Sequence, residues 1–304
     1  MVIGRVALTA ISTGVVVGMV AVGTSTATGA AQTAQTAQTA QTAQTAQAGA
    51  AGRAEAPKAS GRVVVEDVAI PVPGQEPVQA YVVRPGGTLK KQSAPGVLWL
   101  HWLGEINNDR SEYLPEAVTL AQEGVVSVLP LGYFPWVPNP DGTAGDVALV
   151  EDQVEAFRSA LDHLAGLRSV DVERIALVGH DYGAMYGALL ADGDERISSM
   201  VLQAPDAQMG NWFAQFWLGL QGQEREDYLD RFAGLDPVDH TARLGGDVLF
   251  QWAGKDVFIG ADVRAAYASS SPQAQVILYD NQDHEFRDVA RVARLAFLRD
   301  RLGL

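Results

Sequence analysis

The chain has 304 residues and no cysteine. That absence excludes disulfide staples, thiolate metal sites and a lipid anchor on cysteine. Basic residues are scarce, with 22 Lys and Arg against 36 Asp and Glu and a formal net charge of −14. Nucleic acid is excluded as a partner, because phosphate binding requires a basic face; the acidic excess keeps a protein dispersed by self-repulsion. Among the five histidines no pair stands at ligand spacing for a metal. The phosphate-cradling pattern G-x-x-x-x-G-K-[ST] is also missing. Neither a metal nor an organic cofactor is expected, and the partner left to consider is a small-molecule substrate.

One long apolar stretch is present, from Val6 to Val22, preceded by Arg5 and followed by the small residues Ser25-Thr26-Ala27. Basic start, apolar middle and small cleavage region predict a secretory signal over residues 1–30 and a secreted protein. Left uncleaved, the same stretch is an N-terminal anchor outside the cytoplasm, weakened as a span by Gly14 and Gly18. Ala-Gln-Thr then repeats five times from Ala31 to Thr45. A three-residue polar repeat has neither helical nor strand periodicity, so residues 31–60 are predicted to be a low-complexity linker. The remainder, residues 61–304, is long enough for one well-buried α/β domain.

Within that domain Val63–Ile70 and Val78–Arg84 alternate apolar and polar residues, as in two antiparallel strands joined by the Pro71–Gly74 turn. Continuous apolar runs at 96–101 and 125–129 predict strands covered on both faces. Helical spacing covers Glu112–Glu123 and Val150–Leu167, the latter with Val154, Phe157, Leu161 and Leu164 on one stripe. Further strands are expected at 174–178, 197–202, 248–252 and 276–279, with helices from Tyr182 to Leu190 and from Phe286 to Leu302. Two leading strands followed by β-α alternation mean a mostly parallel, doubly wound sheet. Residues 204–244 are too long for a simple connection; their Trp212, Phe213, Phe216 and Trp217 predict a short helical lid.

Gly179-His180-Asp181-Tyr182-Gly183 follows the 174–178 strand and opens a small-residue helix. This is the G-x-S-x-G frame of a nucleophile elbow, with Asp181 where serine is usual. A carboxylate attacking an ester gives a mixed anhydride, a poor outcome. Against a strained or activated sp³ carbon it gives an ordinary alkyl ester. Loss of the nucleophile in a relic, or an acidic turn residue without a role, is the competing explanation.

The order of elements and the elbow on the fifth strand resemble the α/β-hydrolase superfamily. The segment from Ala160-Leu161-Asp162 through Val170 to Ala176 is similar to dienelactone hydrolases and acetyl-xylan esterases. The Gly-His-Asp-Tyr-Gly elbow instead resembles epoxide hydrolases and haloalkane dehalogenases, whose nucleophile is Asp. The resemblance implies a triad acid at Asp256, after the strand ending at Trp252, and a triad base at His284, after the last strand. Asp206 is a rival acid. The same resemblance implies an oxyanion site of backbone N–H groups from Leu103 or Trp102 together with Tyr182. The side chains of Trp102, Tyr133, Trp212 and Tyr228 are candidates for the substrate pocket. Glu105 is either an acid catalyst or a solvated loop residue.

The expected mechanism has two steps. Asp181 opens an epoxide or expels a halide; His284, oriented by Asp256, then activates water to hydrolyse the ester. Epoxide opening also wants an acid for the leaving oxygen, for which Tyr228, Tyr133 and Tyr182 are candidates, while halide release wants indole N–H donors. Two alternatives stand beside it: an esterase or lactonase in which Asp181 acts as a base for water, and a non-catalytic binding protein with a relic triad.

Overall fold

The computed structural model describes residues 62–104, 109–242, 247–285 and 288–304. The expected signal and linker lie outside these residues, and so does Glu105.

Strands β1 (Val63–Ile70) and β2 (Val78–Pro85) pair antiparallel from Val63 opposite Pro85 to Ile70 opposite Val78. They are followed by β3 (Ala94–Leu100), β4 (Val126–Pro130), β5 (Val170–His180), β6 (Ile197–Gln203), β7 (Asp247–Ala253) and β8 (Gln275–Tyr279). The eight strands form one sheet in the order β1-β2-β4-β3-β5-β6-β7-β8. β2 also runs antiparallel to β4, and every later pair is parallel. The expected doubly wound α/β architecture is therefore what the chain adopts.

Every residue of β3 and β4 is buried, which is why both read as unbroken apolar runs. Successive side chains point to opposite faces. Leu98 and Leu100 join an apolar cluster with α2 (Gly145–Gly166) and α3 (Tyr182–Ala191). Val97 and Trp99 join a second cluster with α1 (Leu114–Ala121) and α7 (Asp288–Leu302). Of the expected stripe on α2, Phe157, Leu161 and Leu164 are buried and Val154 is half-buried, with Val150 buried as well. Burial of each such side chain contributes about 1.5–3 kcal/mol.

Between β6 and β7 the chain makes a short π-helical turn (Phe213–Trp217), then α4 (Gly222–Leu229), a 3₁₀ turn (Asp230–Phe232) and α5 (Pro237–Ala242). Three elements differ from the sequence expectation, the first being α2, which starts at Gly145 rather than Val150. β5 starts at Val170 rather than Arg174, and the polar residues before Ile175 bulge against β3. A helix α6 (Ala261–Ser270) was not expected; Tyr267 is its one fully buried residue, so it carries no apolar stripe to read.

Candidate active site

The elbow is a sharp strand-to-helix turn, and its backbone explains its glycines. Asp181 ends the turn at φ 56° and ψ −125°, a strained state for a residue with a side chain. A Cβ on Gly179 would lie 2.5 Å from the Gly183 carbonyl oxygen. One on Gly183 would collide with the carbonyl oxygens of Leu100 and His101. The strands and α3 can approach this closely only without those side chains.

Asp181, Asp256 and His284 come from three separate strand ends and meet. His284 Nδ1 lies 2.8 Å from Asp256 Oδ2, and His284 Nε2 lies 3.2 Å from Asp181 Oδ1. The other oxygen of Asp181, Oδ2, accepts the Leu103 backbone N–H at 3.0 Å. Asp181 and His284 are only 2% and 7% exposed. Asp256 is held from its far side by the N–H groups of Phe258 and Ile259, at 2.8 and 3.0 Å to Oδ1. Burial alone would raise the Asp256 carboxyl, but His284 and these two N–H groups outweigh it and hold the group below its ordinary range. Burial likewise opposes a charge on His284, yet Asp181 and Asp256 on its two nitrogens push it up to about 10. The His284 ring thus sits between two carboxyl groups, each of which favours its protonated form.

Asp206 does not take the acid's place. It accepts the Asn211 side-chain amide at 2.6 Å and the Gln208 N–H, and burial pushes its carboxyl up to about 6.

The oxyanion candidates divide. Leu103 N–H already points at the Asp181 carboxylate. The carbonyl of the same peptide, that of Trp102, lies 2.7 Å from His101 Nδ1, and the Leu103 carbonyl on the next peptide accepts the Trp136 indole N–H at 2.6 Å. Tyr182 opens α3, so its N–H has no acceptor within that helix. Trp102 must be corrected: its backbone N–H donates to Glu112 Oε2 at 2.7 Å and is not available to a substrate oxygen. Its side chain stacks on His180, with centroids 5.5 Å apart and planes 7° apart.

A cavity of about 550 Å³ opens above these groups. Asp181 and His284 form its reactive floor, and Trp102, Trp136, Trp212, Phe216, Trp217 and Phe258 its aromatic walls. Trp212 and Tyr182 are in the lining; Tyr133 and Tyr228 are not. The Tyr133 hydroxyl donates to Gln75 Oε1 and is pushed up to about 12, chiefly by burial. The Tyr228 hydroxyl donates to Asp146 Oδ2 at 2.7 Å, a buried bond away from the cavity. The Tyr182 hydroxyl is buried with no hydrogen-bond partner; burial raises its pKa.

Sequence reasoning passed over two residues at the site. His180 fills the first variable position of the elbow and binds the His284 main chain, with its Nε2 2.9 Å from the His284 carbonyl. Its Nδ1 lies 2.8 Å from Glu112 Oε1. The motif contains His180, but no spacing rule links it to a glutamate 68 residues earlier. His101, by contrast, is structural: Nδ1 pairs with the Trp102 carbonyl, Nε2 accepts Gly132 N–H, and burial lowers its pKa. Among the described residues no cluster of three or more His, Asp or Glu could hold a metal ion.

The sheet order and the strand-end site define the α/β-hydrolase fold. The chain is similar in structure to an acetyl xylan esterase from Paenibacillus sp. R4, with a TM-score of 0.66 and 18% identity over 83% of this chain and 87% of that one. It is also similar to a Klebsiella pneumoniae structure assigned as a dienelactone hydrolase, with a TM-score of 0.54 and 18% identity over 80% and 99% of the two chains. Est1E from Butyrivibrio proteoclasticus gives a TM-score of 0.61 and 15% identity over 78% and 99%. No protein-family model and no curated sequence matches the chain.

Proposed function

We propose that this protein is a hydrolase in which Asp181 attacks an electrophilic sp³ carbon and His284 then activates water to cleave the alkyl ester. The observation that carries this reading is the division of labour on one carboxylate: Asp181 Oδ1 faces His284 while Oδ2 takes the Leu103 N–H. When Oδ1 becomes the ester oxygen, Oδ2 becomes the carbonyl oxygen and keeps its N–H donor. That donor is then in place for the charge that develops on water attack. Esterification also removes the Asp181 charge from beside His284. The imidazole then loses its proton more readily and becomes the base that the second step requires.

The cavity favours a leaving group that departs as a stable anion, a halide above an epoxide oxygen. The hydroxyls of Tyr133 and Tyr228 are engaged elsewhere, and although Tyr182 is in the lining its hydroxyl is buried and not exposed to the cavity. An aromatic-walled cavity of this size suits a small apolar haloalkane or arylalkyl halide.

A second reading is supported by the structural neighbours named as esterases: Asp181 acts as a base toward water on an ester or lactone. One experiment separates the two. Single-turnover hydrolysis in ¹⁸O-water puts label into the Asp181 carboxylate if it is the nucleophile, whereas direct water attack leaves the peptide unlabelled. Substrate is found first by turnover of haloalkanes, epoxides and nitrophenyl esters. Silence on all three panels favours a binding protein.

Export is part of the proposal. It rests on the signal-like residues 1–30 and is tested by N-terminal sequencing of protein recovered from the culture medium. No described helix is long and apolar enough to cross a membrane.

A further inference from the structure

Glu112 and His180 play no part in the two chemical steps, yet they bridge three segments that do: the Leu103 loop, the elbow and the His284 loop. Glu112 is the residue two positions before α1, and its carboxylate divides between two partners. Oε2 accepts the N–H of Trp102 at 2.7 Å, one residue before the Leu103 donor. Oε1 lies 2.8 Å from His180 Nδ1, on the elbow beside Asp181. His180 continues the chain of contacts: Nε2 lies 2.9 Å from the main-chain carbonyl of His284 itself. A carboxylate and a carbonyl only accept, so both His180 bonds form together when both ring nitrogens carry a proton. The Trp102 ring lies flat on the imidazole and covers it. His180 is 1% exposed, and burial that would raise the Glu112 carboxyl is outweighed by His180 and the Trp102 N–H.

We propose that Glu112 and His180 are positioning residues that set the distance between the Leu103 N–H donor and the His284 imidazole, so that both address one Asp181 carboxylate. This deepens the nucleophile reading and rests on it for its catalytic meaning. The physical reason is that the three contributing loops leave three different strands. Nothing in the sheet register sets the loops to within the few tenths of an ångström that a shared carboxylate demands. A hydrogen-bonded pair of buried His180 and half-buried Glu112, with two further directional bonds, does so.

The test uses the full chain and two substitutions. Glu112→Gln keeps the side-chain length but has one oxygen for two donors, and its amide N–H faces the other. His180→Phe keeps the ring under Trp102 and removes both hydrogen bonds. The first readout needs no substrate: the low-field proton on His284 Nδ1, hydrogen-bonded to Asp256, assigned in the ¹H NMR spectrum by its loss in His284→Gln. We expect that resonance to shift or broaden in both variants. An Arg299→Ala control, which removes the ion pair of Arg299 with Glu123 outside the cavity, leaves it in place. The second readout is kinetic, on whichever panel is turned over: kcat falls about 10²-fold, as for a reacting group displaced by an ångström, while KM holds.

An unmoved His284 resonance in both variants overturns the proposal, even if their thermal stability drops. So does a rise in KM at constant kcat. Absence of turnover on haloalkanes and epoxides defeats the nucleophile reading instead, and leaves the NMR outcome to decide the positioning role. If His180→Phe does not fold, Glu112→Gln carries the decision.

Discussion

At the residue scale the chemistry is concentrated on one carboxylate, and its substitutions have distinct signatures. Asp181→Asn removes the nucleophile, and turnover should vanish. His284→Gln spares the first step and blocks the second. Intact-mass spectrometry should then show the protein heavier by the alkyl group of the substrate. Asp256→Asn should lower kcat by about 10²- to 10⁴-fold, the range for losing a positioned acid–base partner. Asp206→Asn should leave kcat within a few-fold, because Asp206 binds Asn211 and not His284. Equal losses in the two Asp variants would reassign the acid.

The pKa of His284 makes a further residue-scale prediction, in stability. Its folded value of about 10 lies above the ordinary value near 6.5, so between these the folded state binds more protons than the unfolded. The stabilisation is fully present below about pH 6.5 and is lost as pH rises through about 10. Thermal midpoints should therefore fall from pH 7 to pH 9.5. Asp181→Asn removes one of the two carboxylates that raise His284, and its midpoint should fall less steeply over the same range. Parallel slopes in scanning fluorimetry would contradict the part of Asp181 in raising the His284 pKa.

At the scale of elements, the elbow is held by close backbone approach rather than by side-chain packing. Gly183→Ala forces a methyl group into the Leu100 and His101 carbonyls, and neither backbone can withdraw without breaking β3 away from β5. The cost should reach about 4 kcal/mol or more, in the class of exceptional destabilisation, measured by urea denaturation. Gly193→Ala is a useful contrast. Gly193, unlike Gly183, has a positive φ of 76°, but a Cβ there meets nothing within 4 Å, so the loss should be limited to backbone strain of about 1–2 kcal/mol.

The same elements show which features local pattern can carry. β3, β4 and the second half of β5 were legible because burial on both faces leaves an unbroken apolar run, whereas the polar residues before Ile175 hid where β5 begins; α2 was legible because its buried residues recur at helical spacing. The elbow was legible because strained backbone and close approach leave few residue types allowed. α6 was not, since a helix that buries little more than Tyr267 has no stripe. Nor was the loss of the Trp102 N–H, whose acceptor Glu112 lies on another segment.

On the scale of the whole molecule, a buried charge network ties both outer helices of one face to the centre of the sheet. Arg294 on α7 donates to both oxygens of Glu116 on α1, at 2.9 and 2.6 Å, and to the side chains of Gln203 on β6 and Gln251 on β7. Arg294 and Glu116 are both buried. Breaking such a pair leaves an uncompensated charge, so Arg294→Leu should cost about 3–5 kcal/mol. The double variant Arg294→Leu with Glu116→Leu should recover part of that loss, because the charge is removed with its partner. A double variant less stable than the single would show that packing, not charge, is what the network provides.

The sequence by itself determined the α/β class, the strand-to-helix turn at Asp181 and the chain order of Asp181, Asp256 and His284. These are local properties: periodicity, backbone strain and position past a strand end are written in adjacent residues. Only the tertiary structure decided which hydrogen-bond donors face Asp181, which tyrosine hydroxyls are consumed elsewhere, and that Glu112 and His180 join the loops. Those facts depend on angles between strands far apart in the chain. A hydrogen bond is set by tenths of an ångström between groups whose separation no spacing rule records.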